Sequence, residues 1–247
     1  MSRGRLAIAL IGLVLLVGGL AWGTAGSYGF GHYHALYGRI VARDSVPDRS
    51  ATNAVSVTTF DYRGFDTLGE EFILFVSVAG VIVLLRRMRG ESGRDESLLA
   101  EEDRRASESS RWLGLALVGP LLVLTVYIVA HGQLTPGGGF QGGVILMSAV
   151  AFVAVGGESV VLLRLRRASS GVELAESAGA AGFAMIGFGG LVATGTFFEN
   201  FIAKGTSGLL TGGFIPLANI AVGLEVAGGL LVVISELFDQ RFTRERS

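Results

Sequence analysis

Long apolar runs separated by short polar segments set the pattern of this chain. Five of them, at residues 6–23, 112–130, 143–163, 177–198 and 214–234, are long enough to cross a membrane as helices. A hydrocarbon core about 30 Å thick takes roughly 20 apolar residues at 1.5 Å rise each. A sixth run, 72–85, reaches only about 21 Å as a helix. Starting it at Leu68 extends it to about 27 Å and puts Thr67-Leu68-Gly69-Glu70 at its N-terminus. That string is a capping box, with Thr67 and Glu70 satisfying free backbone donors. The pattern predicts an all-α membrane protein with six transmembrane helices.

Basic residues test the count, because short cytoplasmic loops hold the excess of positive charge. Threading the chain back and forth places fifteen of the twenty Lys and Arg residues on one side, which predicts cytoplasmic N and C termini. Dropping the 72–85 span would put the arginine-rich linker outside. Arg3 and Arg5 before an apolar stretch, with small residues following at 23–27, also fit a cleaved signal sequence, which would leave the other spans unchanged. The outer segment 25–65, with Tyr28, Phe30, Tyr33 and Tyr37, is expected at the membrane interface. The linker 86–111 carries seven arginines against seven acids and is expected to be a solvated tether or short helix.

Composition agrees: 50% hydrophobic, 17% charged and 38 glycines in 247 residues, where a water-soluble fold carries about a quarter charged residues. A net charge of -1 argues against nucleic acid as a partner. Zero cysteines exclude disulfides, thiolate metal sites and thiol nucleophiles. His32 and His34 lack a clear third ligand, so neither a metal site nor a cofactor is expected.

Between the third and fourth spans lies His131-Gly-Gln-Leu-Thr-Pro-Gly-Gly-Gly-Phe-Gln-Gly-Gly143. Gly137, Gly139 and Gly142 match the spacing of a dinucleotide-binding fingerprint, but that motif needs a soluble strand before it and an acid about 20 residues on within a βαβ unit. Here both flanks are membrane spans. Glycines with Pro136 instead break the helix near membrane depth, where irregular backbone must be buried in protein or face water. Thr135, Pro136, Gly137, Gly138, Gly139, Phe140, Gln141, Gly142 and Gly143 therefore form either a tight turn packed on a partner or a half-helix end whose backbone groups serve an ion.

The run from His131 to Gly143 resembles, almost residue for residue, the signature of the MnhB family, the B subunit of Mrp/Mnh multisubunit Na+/H+ antiporters. Asp61-Tyr-Arg-Gly-Phe-Asp-Thr-Leu-Gly-Glu70 is similar to a motif in the C-terminal part of the antiporter's large A component, a piece that stands alone in related membrane-bound hydrogenases. The resemblance implies a two-helix module at 1–90, a charged linker at 91–110 and a four-helix domain at 111–247. It also implies a transporter subunit of the cell membrane rather than an enzyme, with other membrane subunits and the lipid bilayer as partners and Na+ and H+ as transported ions. The alternatives are a membrane-arm component of a redox-driven pump and a pure scaffold.

Acids within or beside the spans are the candidates for an ion or proton path. Glu225 falls near the middle of the sixth span, where an ionised side chain costs about 2.5 to 3.5 kcal/mol on insertion scales, so it must face protein or water. Glu158 lies in the inner half of the fourth span, within reach of Arg164. Asp66 and Glu70, four apart, share a helix face if the second span starts early. His131 and Glu199 sit at outer helix ends, where an ion route would open. Glu173 and Glu176 are expected at the N-terminus of the fifth span, and the glycines of that span are expected to admit a close neighbour.

Overall fold

The computed structural model describes residues 3–26, 36–85, 107–157, 161, 169–205 and 208–243. His32, His34, Glu158 and most of the charged linker lie outside the described residues, and only the backbone of Glu173 is described. The chain forms two compact units, Met1–Ile40 and Val41–Ser247. The first contains α1 (Arg3–Ala25), whose side chains from Leu10 onward are uniformly apolar or small and exposed.

The described elements continue with α2 (Leu36–Arg49), α3 (Ala54–Val57), a π-helical turn (Thr58–Tyr62), α4 (Gly64–Leu84), α5 (Glu108–Ala130), α6 (Gly139–Val155), α7 (Ser169–Thr194) and α8 (Ile215–Thr243). Every regular element among them is helical. Four stretches, Gly64–Leu84, Glu108–Ala130, Leu174–Thr194 and Ile215–Phe238, are long and apolar enough to cross a membrane. Leu10–Ala25 and Gly139–Val155 are shorter apolar helices.

The fold is organised around α8, which packs against α4, α6, α7 and α5, while α5 pairs with α6. Enclosure follows from this: 44% of the apolar stretch of α8 is buried, against 6% for α5. Phe60, Phe183, Phe198, Phe214, Ile215 and Val222 make the main core. Small residues let the helices approach. A Cβ on Gly179 of α7 would lie 2.5 Å from the Ala221 carbonyl and 2.6 Å from the Glu225 amide, and one on Gly143 of α6 would lie 2.7 Å from Val226 Cβ. The glycines of the fifth span therefore serve contacts within this chain.

Two local expectations need correction. α4 starts at Gly64, and the preceding Arg63 leaves helical geometry at φ -133°, ψ 36° without a side-chain cap. Thr67 is thus inside the helix, and its hydroxyl donates to the Thr59 carbonyl at 2.6 Å, tying α4 to the π-helical turn. No Thr67–Glu70 capping box forms. Likewise, α7 has begun by Ser169, so Glu176 lies about two turns inside it. There it is buried, with its Cβ against Gly228 of α8, rather than at a hydrated terminus.

Candidate functional site

α4, α7 and α8 enclose a partly open cavity of about 270 Å³, with Glu71 and Glu225 in its wall. Along α4 the buried positions are Gly64, Thr67, Glu71 and Val78, a spacing of three, four and seven that turns one face onto the bundle. Glu71 lies on that face and Glu225 comes from the neighbouring turn of α8. The two carboxyls face each other closely enough to interact. They are 3% and 0% exposed, and all four of their oxygens are buried without a hydrogen-bond partner. Buried carboxyls are ordinarily paired or bonded because desolvation is expensive, so two carboxyls without a hydrogen-bond partner on one cavity are a costly arrangement. Two more acids are buried along this side of α8, Glu176 from α7 and Glu236 near the end of α8.

A second polar region lies where α4 begins and α8 begins. Asp61 forms an ion pair with Arg49 at 2.7 Å and accepts a 2.6 Å bond from Asn200. Asn200 also donates to the Gly212 carbonyl at 3.1 Å and accepts from the Phe214 amide at 3.2 Å, which fixes the entry to α8. Burial raises the Asp61 carboxyl above its ordinary value, although Asn200 and Arg49 pull the other way. Burial is the largest single influence on Arg49 and opposes its charge, but the bond and the attraction to Asp61, with Tyr62 and Glu199, together outweigh it and hold the guanidinium above its usual value. Tyr62, under the Arg49 guanidinium and bonded to Asp48, is pushed up to about 12 by burial and by that carboxylate.

The glycine loop adjoins this region and is held from both sides. The Asn53 amide donates to the carbonyls of Gly132 at 2.6 Å and Thr135 at 2.9 Å, its backbone amide donates to Gln133, and the Thr52 hydroxyl donates to Leu134. Asn53 at the same time caps α3 by accepting from Val55 and Ser56. On the other side, the Asn219 oxygen accepts from the Gly139 amide at 2.8 Å while its nitrogen donates to Ile215. Gly138, at φ 147° and ψ -172°, occupies a conformation open essentially to glycine alone, and it turns the chain into α6. A Cβ on Gly139 would run into the Asn219 carbonyl. The Gly139 amide and the carbonyls of residues 132–135 are thus engaged inside the chain.

Among the residues singled out in the sequence, Glu225 lies in the cavity. Asp66 and Glu70 do share a face, but it is the exposed face of α4, and Asp66 pairs with Arg63. His131 stacks on Tyr127 at 4.4 Å and bonds to the Tyr127 carbonyl. Glu199 is exposed, 4.0 Å from Arg49. Glu71 was not among the candidates. Its signal was the repeat of small or polar residues at 64, 67 and 71, which assigns Glu71 to the packed face and Glu70 to the outer one.

Comparison with known proteins bears on the same two regions. Residues 110–232 match the family described as a domain related to the MnhB subunit of Na+/H+ antiporter. Residues 32–105 match the MbhE family, described as a component of MBH. The chain belongs to the MnhB family. An uncharacterized protein of Methanocaldococcus jannaschii is 33% identical over 202 residues, 72% of this chain and 74% of that protein. A probable K(+)/H(+) antiporter A/B component of Rhizobium meliloti is 33% identical over 119 residues, 38% of this chain but 11% of that much longer protein. Among solved structures, the Mrp complex from Dietzia sp. has a chain that superposes with TM-score 0.69 at 26% identity, covering 98% of this chain and 27% of that one. A chain of the membrane-bound sulfane sulfur reductase, an archaeal respiratory membrane complex, superposes with TM-score 0.63 at 25% identity, covering 94% and 97%. As an MnhB-family chain joined to an MbhE-like segment, this is a membrane subunit of the cation/proton antiporter type. It is a transporter component, with other membrane subunits as partners.

Proposed function

We propose that this MnhB-family protein supplies buried acids to the ion path of a multisubunit cation/proton antiporter in the cell membrane, crossing the bilayer six times with both termini in the cytoplasm. In this assignment 1–90 is the front module, 91–110 the linker and 111–247 the MnhB-like domain. The observation that carries it is the unpartnered Glu71–Glu225 pair. Membrane proteins retain buried ionisable groups of this kind for transport or proton transfer. Glu176 and Glu236 continue the acids along α8 and give protons a series of stations. Na+, K+ or both are exchanged against H+.

Glu225→Gln and Glu71→Gln, each introduced into the assembled complex, are expected to cut antiport in inverted membrane vesicles at least about tenfold, as loss of a proton-transfer group does. Companion subunits should co-purify normally. Full antiport in both variants sinks the proposal and leaves a scaffold. A second assignment, a membrane-arm component driven by electron transfer elsewhere, is favoured by the near-complete coverage of the sulfane sulfur reductase chain. Purifying the native complex and finding metal- or flavin-bearing companions would select it.

A further inference from the structure

The chamber beside the acid pair is poor in what an alkali cation needs. A hard cation stripped of its water takes about six or more oxygen ligands. Here the walls are Leu68, Phe72 and Phe75 of α4 and alanines of α7, and Ser177 adds the one further side-chain oxygen. The backbone oxygens of α4, α7 and α8 are committed within their helices. In the glycine loop, the carbonyls of Gly132, Gln133, Leu134 and Thr135 are taken by Asn53 and Thr52.

Charge balance points the same way. Among the described residues no Lys, Arg or His lines the cavity. Arg63 is bonded to Asp66 and Arg49 to Asp61. The other titratable groups on the packed helices near the pair are acids, Glu70 on α4 and Glu176 on α7, and α6 has none. A proton fits where a metal ion does not, because between two facing carboxyls it gives one a donor and the other a bond to accept. The cavity is large enough to hold water against the two carboxyls, the route by which that proton arrives.

From this geometry we infer that the Glu71–Glu225 pair is a seat for protons that does not accept the alkali cation, so the exchanged cation crosses the complex by another route. The inference rests on the pair being a working group, as proposed above. The test uses the native complex in membrane vesicles and dicyclohexylcarbodiimide, an apolar reagent for protonated carboxyls. The carboxyl oxygen bonds to the carbodiimide carbon, the acid proton moves to nitrogen, and the adduct rearranges to a stable N-acylurea with nothing lost. Mass spectrometry then measures modification at Glu71 and Glu225.

At fixed pH and ionic strength, replacing choline by Na+ or K+ should change the rate less than about twofold. A cation bound to the carboxylates would protect about elevenfold at ten times its Kd. Raising the pH should lower the rate about tenfold per unit once the pair ionises. Protection of about fivefold or more by Na+ or K+ overturns the proton seat, as does absence of modification at both residues at every pH. The two ideas fail separately: metal-ion protection with impaired Gln variants removes only this inference, whereas unimpaired Gln variants remove the relay itself.

Discussion

Asp61 carries its charge against the cost of burial, and that has a consequence for pH. Its folded value lies above the ordinary 3.8, so the folded state holds the proton to higher pH than the unfolded chain does. The stability it contributes is complete below 3.8 and drains away as pH rises through the raised value. Asp61→Asn, which can keep the contact with Asn200, is expected to flatten that decline in thermal unfolding of the detergent-solubilised complex followed across the acid range. An unchanged slope would count against it. The same contrast governs what individual residues reveal in a sequence. Glu225 stands out because apolar neighbours surround it on both sides along the span. Glu71 does not, because it follows Glu70 in the first turns of a span, where acids are commonly hydrated, and only the packing of α4 separates the two.

The long apolar helices were legible, since their runs exceed what any loop tolerates, but their starts were not, and neither was α2, which carries no such run. α4 begins three residues before its supposed cap because the π-helical turn ahead of it supplies a carbonyl to Thr67. The glycine loop was legible as a motif, yet its clasp was not, since Asn53 lies 79 residues from Gly132 and belongs to a four-residue helix that no periodicity announces. Asn53→Ala removes two loop bonds and one cap together. It is expected to cost about 1 to 3 kcal/mol, the range for stranded buried partners and a lost cap, read as a lower unfolding temperature. Asn53→Asp, which keeps the cap but cannot donate to the loop, should recover only part of that loss.

Taken as a membrane object, the unit Val41–Ser247 gathers the starts of α4, α6 and α8 and the end of α7 at one end of the bundle, held by Asn53, Asn200 and Asn219. The six-span arrangement proposed above would put residues 86–106 on the opposite, cytoplasmic side. Because the chain contains no cysteine, Ser97→Cys and Pro136→Cys are clean reporters. A membrane-impermeant maleimide should reach Cys at 97 only from the cytoplasmic side and Cys at 136 only from the outer side. Labelling of both from one side would break the six-span arrangement. The placing of Asn219 and Glu225 on one helix has a further effect. Six residues apart, they point in different directions, one keying the loop and the other closing the acid pair. Deleting a single residue between them would swing one relative to the other by about 100°. Length changes in the tether between modules can accumulate over evolution, but in this stretch of α8 even one codon should be fixed.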